Sequence, residues 1–140
     1  MSEKLTIARQ FIEALPHARA LDLRMEDFEN GTAILSMPYD EKLVGDPRTG
    51  VVHGGAVFSL LDTSCGAAVM SHPHNPSHTA TIDLRIEYLR AARPGDRIRA
   101  TATCYHVTRS VAFVRASATD EDSENPVAIA TGTFAIEGKE

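Results

Sequence analysis

The chain is short of cysteine, of aromatic residues, of long apolar runs and of positive charge, and each shortage removes a class of function. The two cysteines, Cys65 and Cys104, have no CxxC partner. That excludes a disulfide-stapled framework and leaves two reduced, buried thiols suited to a reducing compartment. No apolar run approaches the roughly 18 residues that a membrane span needs. The N-terminus, Met1-Ser2-Glu3-Lys4, is polar and no long apolar segment follows it, so no signal peptide is expected. These absences point to the cytoplasm and away from a membrane. A net charge of −5 argues against nucleic acid as a partner. Aromatic residues make up only 6%, with Phe58, Tyr88, Tyr105 and Phe113 as candidates to line a pocket.

What is present is an ordinary globular composition, 43% hydrophobic and 24% charged over 140 residues. That is enough to bury a core without staples, as one domain spanning 1–140. Residues 1–20 form an N-terminal helical segment. Leu5, Ile7, Ala8, Phe11, Ile12 and Leu15 predict a helix over 3–15, with Ser2 as N-cap and Pro16 as its stop. Leu21, Leu23 and Met25, then Ala33, Leu35 and Met37, alternate with polar residues. Asn30-Gly31 between them is a strong hairpin signal. Residues 39–50 read as a loop, and a central helix is expected over 54–70. Four strand-like runs follow at 79–90, 97–107, 111–119 and 127–136, the first two separated by the turn Arg93-Pro94-Gly95-Asp96. One helix with little polar surface and about six antiparallel strands imply an α+β domain, a sheet curled round that helix.

Asp62 is the only formally charged side chain between Arg48 and Asp83. An ionised carboxylate taken out of water costs several kcal/mol unless it is paired. No cation lies within helical reach of it, so Asp62 reads as a functional group. The helix around it is rich in small residues, and it opens with His53-Gly54-Gly55. His72, His74 and His78 have a spacing that zinc tolerates, but Pro73 and Pro76 interrupt it and no cysteine is near. No metal site and no cofactor are expected.

His53-Gly54-Gly55, Asp62, the segment Thr81-Ile82-Asp83-Leu84-Arg85-Ile86-Glu87-Tyr88 and the Arg93-Pro94-Gly95-Asp96 turn together resemble the hotdog-fold acyl-CoA thioesterases. The nearest type is that of phenylacetate degradation, within the 4-hydroxybenzoyl-CoA thioesterase superfamily. The resemblance implies a curved antiparallel sheet of five to six strands wrapped around one long helix. It implies a homodimer or a homotetramer built as a dimer of dimers, with sites at the dimer interface. It implies an acyl- or aryl-CoA substrate, Asp62 as base or nucleophile, Gly54 or Gly55 as the amide that polarises the thioester carbonyl, and Thr81 as a hydroxyl holding the attacking water. Asp46-Pro47 stands where the family commonly has Asn-Pro, and a carboxylate donates no hydrogen bond unless protonated.

The chemistry suits these residues. A thiolate leaves readily, since a free thiol has a pKa of about 8.5, so no strong general acid is needed. A helix N-terminus offers free N–H groups and a positive dipole end. From Gly54 to Asp62 is roughly 12 Å of helix at 1.5 Å per residue, too far for one chain's pair to address one carbon. Two helices antiparallel across a twofold axis would bring Gly54 of one chain beside Asp62 of the other. Residues 85–115 are net positive in an acidic chain. Arg90, Arg93 and Arg109 with Ser110 are candidates for the coenzyme A phosphates, and His53 for shaping the loop at the helix entrance. Two alternatives stay open: a non-catalytic acyl-CoA binding module, and a hotdog enoyl-CoA hydratase. Against the hydratase, Ala67 stands where its pattern has histidine.

Overall fold

A computed structural model describes residues 2–137. Met1 and residues 138–140 of the expected 1–140 unit lie outside the described residues. Helix α1 runs Glu3–Ala14, and Ser2 caps it by accepting the Leu5 N–H. Pro16 does more than stop this helix: it is the first residue of a second, α2, Pro16–Ala20, where its missing N–H costs nothing. Strands β1 (Arg24–Glu29) and β2 (Thr32–Met37) form the expected hairpin. Asn30 and Gly31 both take positive φ at its turn, as a tight hairpin requires.

The expected loop 39–50 is more structured than its composition suggests. It holds a 3-10 turn at Glu41–Leu43 and strand β3 (Val44–Asp46), which pairs with β4 (Val51–Val52). Helix α3 then runs Gly54–Ser71, followed by β5 (His78–Tyr88), β6 (Ile98–Val107), β7 (Val111–Thr119) and β8 (Ala128–Glu137). Among the described residues, six strands form one sheet in the order β1-β2-β6-β7-β8-β5, every pairing antiparallel.

The concave face of the sheet is alanine-rich: Ala33, Ala100, Ala102, Ala112, Ala118, Ala128 and Ala130 are buried there. Small side chains on both surfaces let α3 lie close to the sheet, where Leu60, Leu61, Cys65, Ala68 and Val69 are fully enclosed. Ser71 stitches the end of α3 to the first hairpin: its hydroxyl accepts the Gly31 N–H at 2.9 Å. Burial pushes the Cys65 thiol up to about 12. Strand β5 is the sheet edge, paired on one side to β8 alone, and Ile82 on it is 58% exposed.

At the far end from this hairpin, Arg90 grips Asp120 with two hydrogen bonds of 2.7 and 2.8 Å. The Asp120 side chain is 1% exposed and also accepts the N–H groups of Arg93 and Asp122. The Arg90 guanidinium, joined by those donors, holds the Asp120 carboxyl well below the usual carboxylate range.

Candidate active site

Asp62 sits midway along α3, beside the edge strand β5. Asp62, Gly66 and Met70 follow one another one turn apart, with Thr63 and Ala67 beside them, and all five line one side of a cavity of about 690 Å³. Helix α1 lines the opposite side with Ile7, Phe11, Ile12 and Leu15, and Phe28 and Phe134 contribute aromatic surface. Residues 75–78 and the first residues of β5 complete it. Asp62 is half-buried, less enclosed than its apolar neighbours suggest, because this cavity opens beside it. Its carboxylate Oδ1 accepts the Thr81 hydroxyl at 2.7 Å. Among the described residues no cation pairs with it.

Thr81 reaches Asp62 because β5 is irregular at that point. The β5–β8 register shifts between Thr81, opposite Phe134, and Asp83, opposite Thr133, leaving Ile82 as the extra residue of a bulge. Next to the bulge, opposite Leu84, stands Gly132. A Cβ there would collide with the Asp83 carbonyl oxygen and lie 3.0 Å from Leu84 Cα. The absent side chain on β8 therefore gives the bulge its room, a role that spacing in the sequence does not reveal.

The helix entrance is organised differently from expectation. His53 caps α3, its Nδ1 accepting the Gly55 N–H at 2.8 Å. The Gly55 amide is thus occupied, and a Cβ at Gly55 would lie 2.9 Å from that nitrogen. The Gly54 N–H has no acceptor among the described residues, so of the two amides it is the one free to bind a ligand. Tyr88 lies over the same end and donates its hydroxyl to the Gly54 carbonyl at 2.8 Å. Burial raises the Tyr88 phenol above its ordinary value, which keeps the donor protonated. Gly54 and Asp62 of one chain stay two helical turns apart, and neither Gly54 nor Asp46 lines the Asp62 cavity.

Asp46 is engaged locally. It accepts the Arg48 N–H at 3.0 Å and meets the Arg48 guanidinium at 3.4 Å, which holds its carboxyl below the ordinary value. Arg90, expected on a phosphate, spends its donors on Asp120 and the Asn125 carbonyl instead. Among the described residues, the exposed Arg93 side chain makes only a 3.8 Å contact with Asp96. Arg109 and Ser110 lie in the exposed β6–β7 turn. Arg93 and that turn are at opposite ends of β6, about 30 Å apart at 3.3 Å per residue. Of the aromatic residues expected to line a pocket, Tyr105 and Phe113 pack against each other with Arg115 over the Tyr105 ring, and neither lines this cavity. His72 packs against the first hairpin, its Nδ1 accepting the His74 N–H at 3.0 Å.

Known proteins share this fold. The family model described as "Thioesterase superfamily" matches residues 49–127. A putative esterase of Halobacterium salinarum is 40% identical over 124 residues, covering 83% of this chain and 81% of its own. The medium/long-chain acyl-CoA thioesterase YigI of Salmonella typhimurium is 29% identical over 143 aligned positions, covering 93% and 91%. A Pseudomonas aeruginosa protein of known crystal structure superposes with a TM-score of 0.82 at 37% identity, covering 94% and 97%. The match takes in more than half of the chain and agrees with the hotdog architecture, and on that ground this chain belongs to the thioesterase superfamily.

Proposed function

We propose that this protein hydrolyses acyl-CoA thioesters to a free carboxylic acid and CoA, with Asp62 as the reacting carboxylate. The observation that carries the reading is Asp62 itself: a carboxylate with no cationic partner among the described residues, fixed by the Thr81 hydroxyl at 2.7 Å, at the edge of a cavity with apolar walls. Thr81 occupies Oδ1 and leaves Oδ2 to accept a proton from water or to attack directly. The free Gly54 amide at the positive end of α3 stabilises the oxyanion as the carbonyl carbon becomes tetrahedral. Collapse of that intermediate expels a thiolate, which needs no strong acid.

The active unit is a dimer formed through β5. Among the described residues its outer edge is unpaired, the strand is exposed along most of its length, and long unpaired edges of this kind are ordinarily covered. Two β5 strands paired antiparallel about a twofold axis bring the α3 helices alongside, so that Gly54 of one chain approaches Asp62 of its partner. Each dimer then has two composite sites. Arg93, near the Gly54 end, and Arg109 with Ser110 remain for the coenzyme A phosphates. The two free cysteines suit a reducing compartment such as the cytoplasm, and among the described residues no helix is long and apolar enough to cross a membrane.

The test is thiol release from an acyl-CoA panel by wild type and by Asp62→Asn. The expected result is turnover by wild type and none by the variant, with CoA binding retained. Wild-type turnover in Asp62→Asn would rule the mechanism out.

A further inference from the structure

We infer that the acyl group is an aliphatic chain that lies between α1 and α3, and that Gly66 sets how deep it reaches. This rests on the reading of Asp62 as the hydrolytic carboxylate. The cavity begins at Asp62 and Thr63 and continues past Gly66 and Ala67 to Met70, two turns of helix or about 12 Å. With carbon–carbon bonds near 1.5 Å at tetrahedral angles, roughly ten carbons span that length. A benzoyl or phenylacetyl group would fill only its mouth. The volume, about 690 Å³, lies within the usual range for ligand pockets, and the α1 and α3 walls are mostly apolar, with Asp62, Thr63 and Thr81 at one end and Asn75, Ser77 and His78 beyond Met70 at the other.

Helix α1 is placed to form the opposite wall. One side of it is tied to β1, where Arg9 donates to the Met25 carbonyl and Glu13 accepts the Met25 N–H. Its other side faces the cavity, where Ile7 and Phe11 are 59% and 67% exposed. Large apolar side chains held there by polar anchors on the far side suit a surface that an alkyl chain completes.

Gly66 lies on the cavity wall between Asp62 and Met70. It follows Asp62 by one turn, and a glycine inside a helix is otherwise unfavourable relative to alanine by about 1 kcal/mol. A Cβ there would meet only Phe134, at an ordinary 3.6 Å, so core packing does not demand the glycine. Its missing side chain keeps the passage from Asp62 to Met70 open.

The experiment measures kcat/KM for butyryl-, octanoyl-, decanoyl-, palmitoyl-, benzoyl- and phenylacetyl-CoA. The wild-type value is expected to climb about fourfold per buried methylene up to about decanoyl, then level or fall. In Gly66→Leu the decanoyl-to-butyryl ratio should drop by about thirtyfold or more, because three or so methylenes lose their place. Phe11→Ala, on an exposed helix that tolerates truncation, should lower the same ratio, with size-exclusion chromatography reporting an unchanged assembly. A flat wild-type profile from butyryl to decanoyl overturns the inference. So does a preference for either aryl substrate over decanoyl, or a loss in both variants that is equal for all chains. Dissociation of the assembly by Phe11→Ala also overturns it, since α1 would then face a partner chain. Absence of thiol release from every substrate overturns the hydrolytic reading beneath it.

Discussion

Replacing Gly132 with alanine tests the geometry that holds the reacting carboxylate, from a position that touches neither carboxylate nor cavity. The added methyl would enter the space of the Asp83 carbonyl oxygen and lie 3.0 Å from both Leu84 Cα and Leu84 Cδ1. The first two of these atoms are backbone, so a rotamer change cannot relieve the conflict. The edge strand β5 has to move outward at its bulge by about 1 Å, or the β8 backbone has to yield. Overpacking of this kind costs about 1–3 kcal/mol, and loosened ladder hydrogen bonds add about 1 kcal/mol each. A total of about 2–3 kcal/mol is expected. For 140 residues this corresponds to a fall in Tm of about 7–10 °C. The same displacement stretches the 2.7 Å bond from Thr81 to Asp62 beyond hydrogen-bonding range. Misplacement of that size is expected to lower kcat up to about 100-fold, with KM changed far less. Thermal unfolding and single-substrate kinetics on one preparation read both effects. Gly66→Ala is the stability control: its Cβ has room, so Tm should rise by a few degrees. An unchanged Tm and an unchanged kcat in Gly132→Ala would refute the reasoning, because the bulge would then not depend on the glycine.

Thr81→Val keeps the β-branched shape and removes the donor; kcat should fall about 10–100-fold while the unfolding midpoint barely moves. Gly54→Pro removes the free amide at a helix position that accepts proline. Equal amounts of Gly54→Pro and Asp62→Asn chains, re-equilibrated as dimers, should regain about a quarter of wild-type activity if each site draws on two chains, and none if each site belongs to one. Arg90→Ala should cost about 3 kcal/mol in urea unfolding, because it strands the buried Asp120. Since the Asp120 carboxyl is held below its ordinary value in the fold, its contribution is complete above about pH 4 and fades as pH falls below that. In Asp120→Asn that acid-side loss should shrink, as seen in unfolding curves taken across this range.

Much of the architecture is legible in local pattern. Asn30-Gly31 needed only its two residues to specify a hairpin, and the alternation in 97–107 and 111–119 gave strands that the structure places at Ile98–Val107 and Val111–Thr119. The isolation of Asp62 was visible because charge is a property of one residue and its near neighbours. What stayed hidden depends on contacts between distant segments. Thr81 meets Asp62 only through a bulge, and the bulge depends on Gly132, which is far along the chain. The Arg90–Asp120 pair joins two loops whose proximity is set by the order of strands in the sheet. The spacing of Ile7, Phe11 and Leu15 announced an apolar helix face but not that the face would border a cavity. Pro16 shows a different limit: the same residue ends one helix and begins another, and sequence pattern favoured the first role alone.

The strand order also has a temporal side. Strand β5 follows α3 directly, yet among the described residues its one partner in the sheet is β8, made after β6 and β7. Their pairing runs from His78 with Glu137 to Tyr88 with Ala128, closing loops that span β6 and β7. Such non-local pairing comes late, because loop-closure entropy must be met before the contacts form. During synthesis, then, Asp62 is in place on its helix well before Thr81 is fixed beside it. A nascent chain stalled before residue 128 would carry the carboxylate without its hydroxyl partner, and with an edge strand unpaired on both sides. The fixing of Thr81 beside Asp62 and the pairing of one edge of β5 thus coincide in one event, the docking of β8.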